Sequence, residues 1–301
     1  MKILRAEAMG MCFGVRDAIE LAQTRAAEGP VTILGDLVHN DTVLADLRAR
    51  GVLIRQDAAD IPTREVMITA HGASDRRKEG LRRSGLTVLE ATCPLVHRAH
   101  RALKNLVDAG CHPVVIGQAG HVEVRGLVED HPGCDVVLTE EEVDRLPERT
   151  RYGVVSQTTQ PVGRVRELVE RLRRRLPGSE VRWIDTVCQP TKDRQAAAED
   201  LAGRCDVVLV VGGAHSNNTK RLVDTCRARC PRVHWLQTAD DLDPSWVRDT
   251  DTVGITAGTS TPDSVIDAIE EAVQRLGHGV PRPQAEAGQG FSGPVPAGFP
   301  G

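Results

Sequence analysis

Short runs of Val, Leu and Ile recur from one end of the chain to the other. Each is followed by a small or polar loop and then by a stretch with apolar residues three and four apart. Runs of this length suit strands buried on both faces, and their alternation with helical segments is the pattern of α/β units with mostly parallel sheets. The spacing predicts strands over Lys2–Ala6, Val66–Ala70, Pro113–Gly117, Gly153–Ser156, Val181–Asp185, Val207–Gly212 and Thr252–Thr256. It predicts helices over Val15–Glu28, Val96–Ala109, Val162–Leu176, Thr191–Gly203, Asn218–Cys230 and Ser264–Leu276.

The loops between them mark the ligand face. Ala70 to Ser74, Gly117 to His121, Ser156 to Thr159, Gly213 to Asn218 and Ala257 to Asp263 each leave a strand and open a helix. Ligands of open α/β sheets bind beyond the carboxyl ends of the strands, where helix N-termini offer free N–H groups and a positive dipole end. No G-x-x-x-x-G-K-[ST] string is present, and no G-x-G-x-x-G follows a first strand, so nucleotide hydrolysis and dinucleotide-dependent hydride transfer lose their main signatures.

Composition narrows the partners. Aromatic residues make up 2% of the 301, so the core is built from Val, Leu, Ile and Ala, and the stacking platforms of single-stranded nucleic-acid binders are lacking. The net charge of −4 arises from 38 basic and 42 acidic residues intermixed along the chain, which leaves no stripe for a polyanion. Small molecules, not nucleic acid, are the expected partners. No apolar run approaches the ~18 residues of a membrane span, and Lys2, Arg5 and Glu7 stand where a secretory signal needs apolar residues. The expectation is a cytoplasmic protein with no membrane partner, whose eight cysteines serve packing, metal binding or redox chemistry rather than disulfides. Residues 281–301 hold five Pro and five Gly and are expected to form a disordered tail.

The cysteines divide by position. Cys12, Cys93 and Cys188 each follow a strand and precede a helix, 81 and 95 residues apart, which suggests three α/β lobes each pointing one thiol into a shared centre. Without a local C-x-x-C cluster, metal ligation and ordinary packing both remain open for them. Three soft ligands without a fourth would leave one iron of a cubane cluster free to bind substrate. Cys111, Cys134 and Cys205 instead precede strands, at the opposite end of the sheets, and Cys226 and Cys230 share a helix face, so these five read as small hydrophobes.

His39, His71 and His121 fall in the ligand loops. A lone loop histidine is usually just a solvated side chain, but three on one face suggest a polar site. Glu123 lies two residues beyond His121, close enough for a proton donor beside an imidazole, or for a carboxylate favoured by a helix dipole. Thr158, Ser216, Asn218 and Ser260 suit a phosphate held by neutral donors and equally suit helix capping.

Taken in order, the strings GMCFGV, VHN, AHGAS, ATCPLV, AGHVEV, SQTTQ, SNNTKRL and TAGTSTPD resemble the LytB-type 4-hydroxy-3-methylbut-2-enyl diphosphate reductases over residues 1 to about 278. The resemblance implies three similar α/β lobes, over 1–92, 93–187 and 188–280, about a pseudo-threefold axis with a central cluster cavity. It also implies a [4Fe-4S] cluster held by Cys12, Cys93 and Cys188 with one open iron. By the same matching, His39, His71, His121, Thr158, Ser216, Asn217, Asn218 and Ser260 bind substrate. Glu123 is the catalytic proton donor, aided by His121 and Thr158.

The implied activity is reductive dehydroxylation of (E)-4-hydroxy-3-methylbut-2-enyl diphosphate to isopentenyl and dimethylallyl diphosphate, the last step of the non-mevalonate isoprenoid pathway, with electrons from a ferredoxin or flavodoxin. Two rivals stand beside it: a divergent paralogue that senses redox state or takes a related allylic diphosphate, and a zinc hydrolase using the histidines and thiols. Asn217 departs from the family's usual Ser or Gly, so contact there is expected through the backbone. His215, Gln189, Pro190, Lys192 and Asp193 depart as well.

Overall fold

The computed structural model describes residues 1–277. The segment expected to be a disordered tail, 281–301, lies outside the described residues.

Strand β1 (Lys2–Arg5) leads through a short loop into α1 (Phe13–Glu28). The chain then builds a four-stranded sheet from β2 (Val31–Leu34), β3 (Leu53–Arg55), β4 (Glu65–Ile68) and β5 (Thr87–Glu90), with α2 (Asp41–Ala49) and α3 (Asp75–Arg83) between strands. Helix α4 (Pro94–Asp108) crosses to a second sheet of β6 (His112–Ile116), β7 (Asp135–Val137), β8 (Arg151–Ser156) and β9 (Glu180–Trp183), linked by α5 (Val122–Val128), α6 (Glu140–Asp144) and α7 (Val162–Arg175). Helix α8 (Gln189–Ala202) crosses to a third sheet of β10 (Val207–Val211), β11 (Val233–Leu236) and β12 (Thr252–Ala257), with α9 (Asn217–Arg227) after β10 and α10 (Asp263–Gly277) after β12.

All pairings are parallel. The first sheet runs β3-β2-β4-β5 and the second β7-β6-β8-β9, the same winding twice. The third runs β11-β10-β12-β1: its fourth strand is the N-terminal one, in register Lys2 with Thr252 through Arg5 with Ile255. The three α/β lobes expected from the sequence are therefore present, but the lobe expected over 1–92 gives up its first strand. Only that strand leaves an edge-forming position for the third sheet, which otherwise has three strands.

Parallel sheets need cover on both faces, and each lobe supplies it with two apolar layers. In the third lobe, Ala198 and Leu201 of α8 and Leu222 of α9 pack on Val208 and Val210, while Ile266, Ile269 and Val273 of α10 pack on Leu209, Val211 and Ile255. Helix α1 lies on the first sheet, through Ala18 and Ala22 against Ile33 and Met67, and α4 lies on the second, through Ala99 and Leu103 against Val115 and Val155. Each lobe-to-lobe crossing thus runs from an edge strand of one sheet into a helix packed on the next. As the low aromatic content requires, these cores are aliphatic, and Tyr152 is the one ring among the largest fully buried side chains.

Candidate active site

The three crossings each carry one cysteine at the same place. Cys12, Cys93 and Cys188 are the N-cap residues of α1, α4 and α8, in extended or near-extended backbone, and none of their sulfurs makes the usual capping hydrogen bond. An N-cap thiol sits at the positive end of its helix, which favours the thiolate. Around Cys93, burial raises the pKa while the Leu95 and Val96 N–H groups pull it back, and around Cys188 burial carries it to about 11 despite Thr191, whose Oγ1 is 3.0 Å from Sγ. Cys12 and Glu123 act electrostatically on both of these thiols, so the sulfurs and the carboxyl share one neighbourhood.

Space has been left beside the sulfurs. A Cβ at Gly14 would stand 2.4 Å from Cys93 Sγ. The three sulfurs do not all lie within 4.8 Å of one another, whereas thiolates bound to one zinc at ~2.3 Å stand no more than ~4 Å apart. Three thiols make a soft donor set, spaced more widely than a single zinc ion takes.

The other five cysteines lie in the apolar layers or beside them. Cys111, Cys226 and Cys230 are buried, and burial raises the pKa of Cys134 and Cys226 to about 12 and of Cys205 to about 11. Cys205→Ala is expected to leave bound iron, measured on anaerobically purified protein, at the wild-type level.

The strand ends supply the rest. The loops after β2 and β6, first strands of their sheets, present His39 and His121, and the loop after β4 presents His71. Their ring centroids are 4.2, 5.2 and 5.5 Å apart. The loop after β10 presents Ser216, Asn217 and Asn218 at the start of α9, and the loop after β12 presents Ser260. With Glu123, these residues line one small cavity of about 50 Å³. Thr158, after β8, does not line it but grips Glu123 from behind.

Glu123 is 2% exposed, in the first turn of α5. The Thr158 N–H donates to its Oε1 at 2.6 Å, and the Thr158 hydroxyl donates to Oε2 at 3.0 Å. Both bonds favour the carboxylate, but burial outweighs them and pushes the pKa up to about 7. The histidines go the other way: burial lowers the pKa of His39, drives that of His71 well below its usual value, and holds His121 at about 4. All three are neutral at pH 7. Nδ1 of His121, the N-cap of α5, accepts the Glu123 N–H at 3.1 Å, so the proton of the neutral ring sits on Nε2. That nitrogen is a donor with no lone pair for a metal, which turns the histidine trio towards an anion and away from a zinc centre.

Buried polar atoms without partners collect here: both ring nitrogens of His39, Nδ1 of His71, Oδ1 of Asn217 and Nδ2 of Asn218. Such atoms cost stability unless a ligand satisfies them. Ser216 caps α9, its Oγ accepting from the Thr219 N–H at 3.2 Å, whereas Ser260 and Asn218 cap nothing: Ser260 Oγ donates to the His39 carbonyl at 3.2 Å and Asn218 Oδ1 accepts from the Thr259 N–H at 3.0 Å.

Asn217 lines the cavity and is held by its side chain. Its side chain is buried and donates through Nδ2 to Thr159 Oγ1 at 2.8 Å. Thr159 and Thr259, which line the cavity, and Arg194 were not singled out from the sequence. Arg194 is buried, and its guanidinium donates to the carbonyls of Gly10 at 2.7 Å and Pro190 at 2.9 Å, tying the Cys12 loop to the Cys188 helix. The threonines lie inside loops already flagged. Only the fold brings Arg194 to the Cys12 loop.

The family model described as LytB protein matches residues 3–274. A 4-hydroxy-3-methylbut-2-enyl diphosphate reductase of Geobacter metallireducens is 37% identical over 92% of this chain and 98% of its own, and one of Dehalococcoides mccartyi is 39% identical over 93% and 100%. Among solved structures, the E-1-hydroxy-2-methyl-but-2-enyl-4-diphosphate reductase from Plasmodium falciparum superposes with a TM-score of 0.84 at 27% identity, covering 90% of this chain and 87% of that one. A second, titled as the terminal enzyme of the non-mevalonate pathway, gives 0.67 at 34% identity over 91% and 99%. With agreement over nearly the whole length in sequence and fold, and three cysteines repeated at three helix starts, this chain belongs to the LytB family.

Proposed function

We propose that the chain reduces (E)-4-hydroxy-3-methylbut-2-enyl diphosphate to isopentenyl and dimethylallyl diphosphate. Cys12, Cys93 and Cys188 would hold a [4Fe-4S] cluster with one iron left for substrate, and a ferredoxin or flavodoxin would be the electron donor. The observation that carries the reading is a buried carboxyl, Glu123, with its pKa raised to about 7 in a cavity otherwise lined by neutral donors. The reaction consumes two electrons and two protons, replaces a C–O bond by a C–H bond and releases water. When bound, the cluster supplies the electrons and a Lewis-acidic iron.

The chain's own residues do the rest. Hydroxide leaves poorly, so the departing oxygen needs a proton in place as the bond breaks. Glu123 Oε1 is fixed as an acceptor by the Thr158 N–H, which leaves the proton on Oε2, where the Thr158 hydroxyl can turn to accept or release it. His39, His71 and the Nε2–H of His121 would meet the diphosphate together with Ser216, Asn217, Asn218 and Ser260. Neutral donors hold an anion by hydrogen bonds, and they remain satisfiable by water when it leaves. The second proton is assigned to the diphosphate's own oxygens.

The test is anaerobic: iron and sulfide are quantified, then the diphosphate is supplied with reduced methyl viologen and its products are separated. Consumption with release of both isomers is the expected result. Full cluster content with no consumption would instead identify a redox sensor. Colourless protein without iron would reject both.

A further inference from the structure

Each sheet reverses its winding once, between β2 and β4, between β6 and β8, and between β10 and β12. The crevice beyond the carboxyl ends of such a strand pair is where open α/β sheets take ligands, so the three lobes offer three equivalent crevices. Two are plugged. In the second lobe, fully buried Gln157 accepts through Oε1 from the Gln118 N–H at 3.1 Å, and a Cβ at Gly117 would meet its side chain at 2.9 Å. In the third, fully buried Thr219 fills the space, since a Cβ at Gly212 or Gly258 would come within 2.3 or 2.1 Å of its Oγ1.

The crevice of the first lobe is open. A cavity of about 570 Å³ starts at Leu34 and Ile68, the last residues of β2 and β4, and at Gly35 and Thr69 just beyond them, and α5 of the second lobe forms its far wall. Thr69 lines the cavity and is 3% exposed, and its unpartnered Oγ1 is buried behind that wall. Arg77 of α3 and Arg125 of α5 also line it, and among the described residues neither guanidinium is engaged in an ion pair or hydrogen bond. Glu129 is present too, with one carboxylate oxygen occupied by the Ser74 hydroxyl at 2.5 Å. Gln56, whose Nε2 donates to Asp36 Oδ1 at 3.1 Å, is the other polar side chain, and the rest of the lining is aliphatic or glycine.

We propose that this crevice is a second ligand site, taking a small apolar molecule that ends in a carboxylate or a phosphate. The volume is that of a small-molecule site. Two unpaired guanidinium groups against one tied carboxylate select an anion, and the aliphatic side chains of the floor select an apolar body. The site is separate from the histidine cavity and stands independently of the reaction proposed above. The two share a wall: His71 and Glu123 face one cavity, and Gly72 and Val122 face the other. A guest in the crevice therefore presses on the backs of the segments that carry the proton donor and one anion-binding imidazole.

Calorimetric titration of the metal-loaded chain with 3-methylbutyl phosphate, and separately with 4-methylpentanoate, tests the assignment. At least one probe should bind at a site that Arg77→Ala weakens about tenfold or more, the loss of one charge-assisted contact, and that Asn218→Ala leaves unchanged. Arg77 is exposed on α3, so its truncation does not threaten the fold. Which probe binds identifies the anionic end. Binding by neither probe, binding that Arg77→Ala leaves intact, or binding that Asn218→Ala abolishes overturns the proposal. A chain inactive on the allylic diphosphate that still shows the Arg77-dependent site would refute the reaction and keep the crevice.

Discussion

Glu123→Gln is expected to lower turnover by about 100-fold or more, the effect of losing a general acid, while iron content stays at the wild-type level. The amide is nearly isosteric: its oxygen accepts the Thr158 N–H as Oε1 does, and its NH₂ donates to the Thr158 hydroxyl, so the site keeps its shape and loses only the proton. The wild-type pH profile should carry the same signature. With a pKa of about 7 the donor is protonated below neutrality, so turnover is flat there and falls about tenfold per pH unit above pH 7. The variant should lack that limb.

Stability gives a second readout with a definite sign. The folded carboxyl binds its proton up to pH 7, and the unfolded one releases it near pH 4.5. Relative to the glutamine variant, the wild type therefore loses on the order of 3 kcal/mol of stability as pH rises between these values, while the buried neutral histidines, which act in the opposite direction, are common to both proteins and cancel in the comparison. Denaturant midpoints at pH 5 and pH 8 for both proteins measure the difference. Turnover near the wild-type rate would remove Glu123 from the reaction.

Gly14→Ala should strip the protein of most of its iron while leaving the apo fold as stable as before or more so. Alanine is the better helix residue by about 1 kcal/mol, and Gly14 lies in the first turn of α1 with no need for unusual backbone angles. The added methyl would stand 2.4 Å from Cys93 Sγ and 3.1 Å from its Cβ, so the sulfur has to swing away. A ligand displaced by one rotamer no longer points at its metal. Gly80→Ala is the control: it lies inside α3 with nothing within 4 Å of the new carbon, so it shares the helical gain and keeps the iron. Iron retained by Gly14→Ala would place the metal elsewhere.

The cysteines were legible because the strand-to-helix transition that carries them is written locally, as an apolar run, a thiol, and Pro94 or Pro190 at a helix start. His71, His121 and Glu123 were legible for the same reason, since they follow the predicted β4 and β6, whereas the strand before His39 is among those not marked. Five strands were not. β3 and β7 have three residues each, too short for period-two alternation to separate from a piece of helix, while β2, β5 and β11 have four, the same as the predicted β1, β4 and β9, so length does not set them apart. Pairing between β1 and β12 leaves no mark in either segment, so nothing in the sequence assigns the N-terminal strand to the third sheet. The side-chain reach of Asn217 and the open crevice behind β2 and β4 depend on which neighbours fill space, and that is settled only when three lobes meet.

The pairing of Lys2–Arg5 with Thr252–Ile255 also orders events in time. On the ribosome the first thiol emerges at residue 12, but the strand that fixes its loop has no neighbour until some 250 residues later. Cys93, at the start of α4 on the second sheet, can reach its place before the third sheet is made, whereas Cys188 starts a helix packed on that sheet and Cys12 waits for its last strand. The earliest made is the last to be set, so the three helix starts stand together only once β12 has been made and the third sheet has closed on β1.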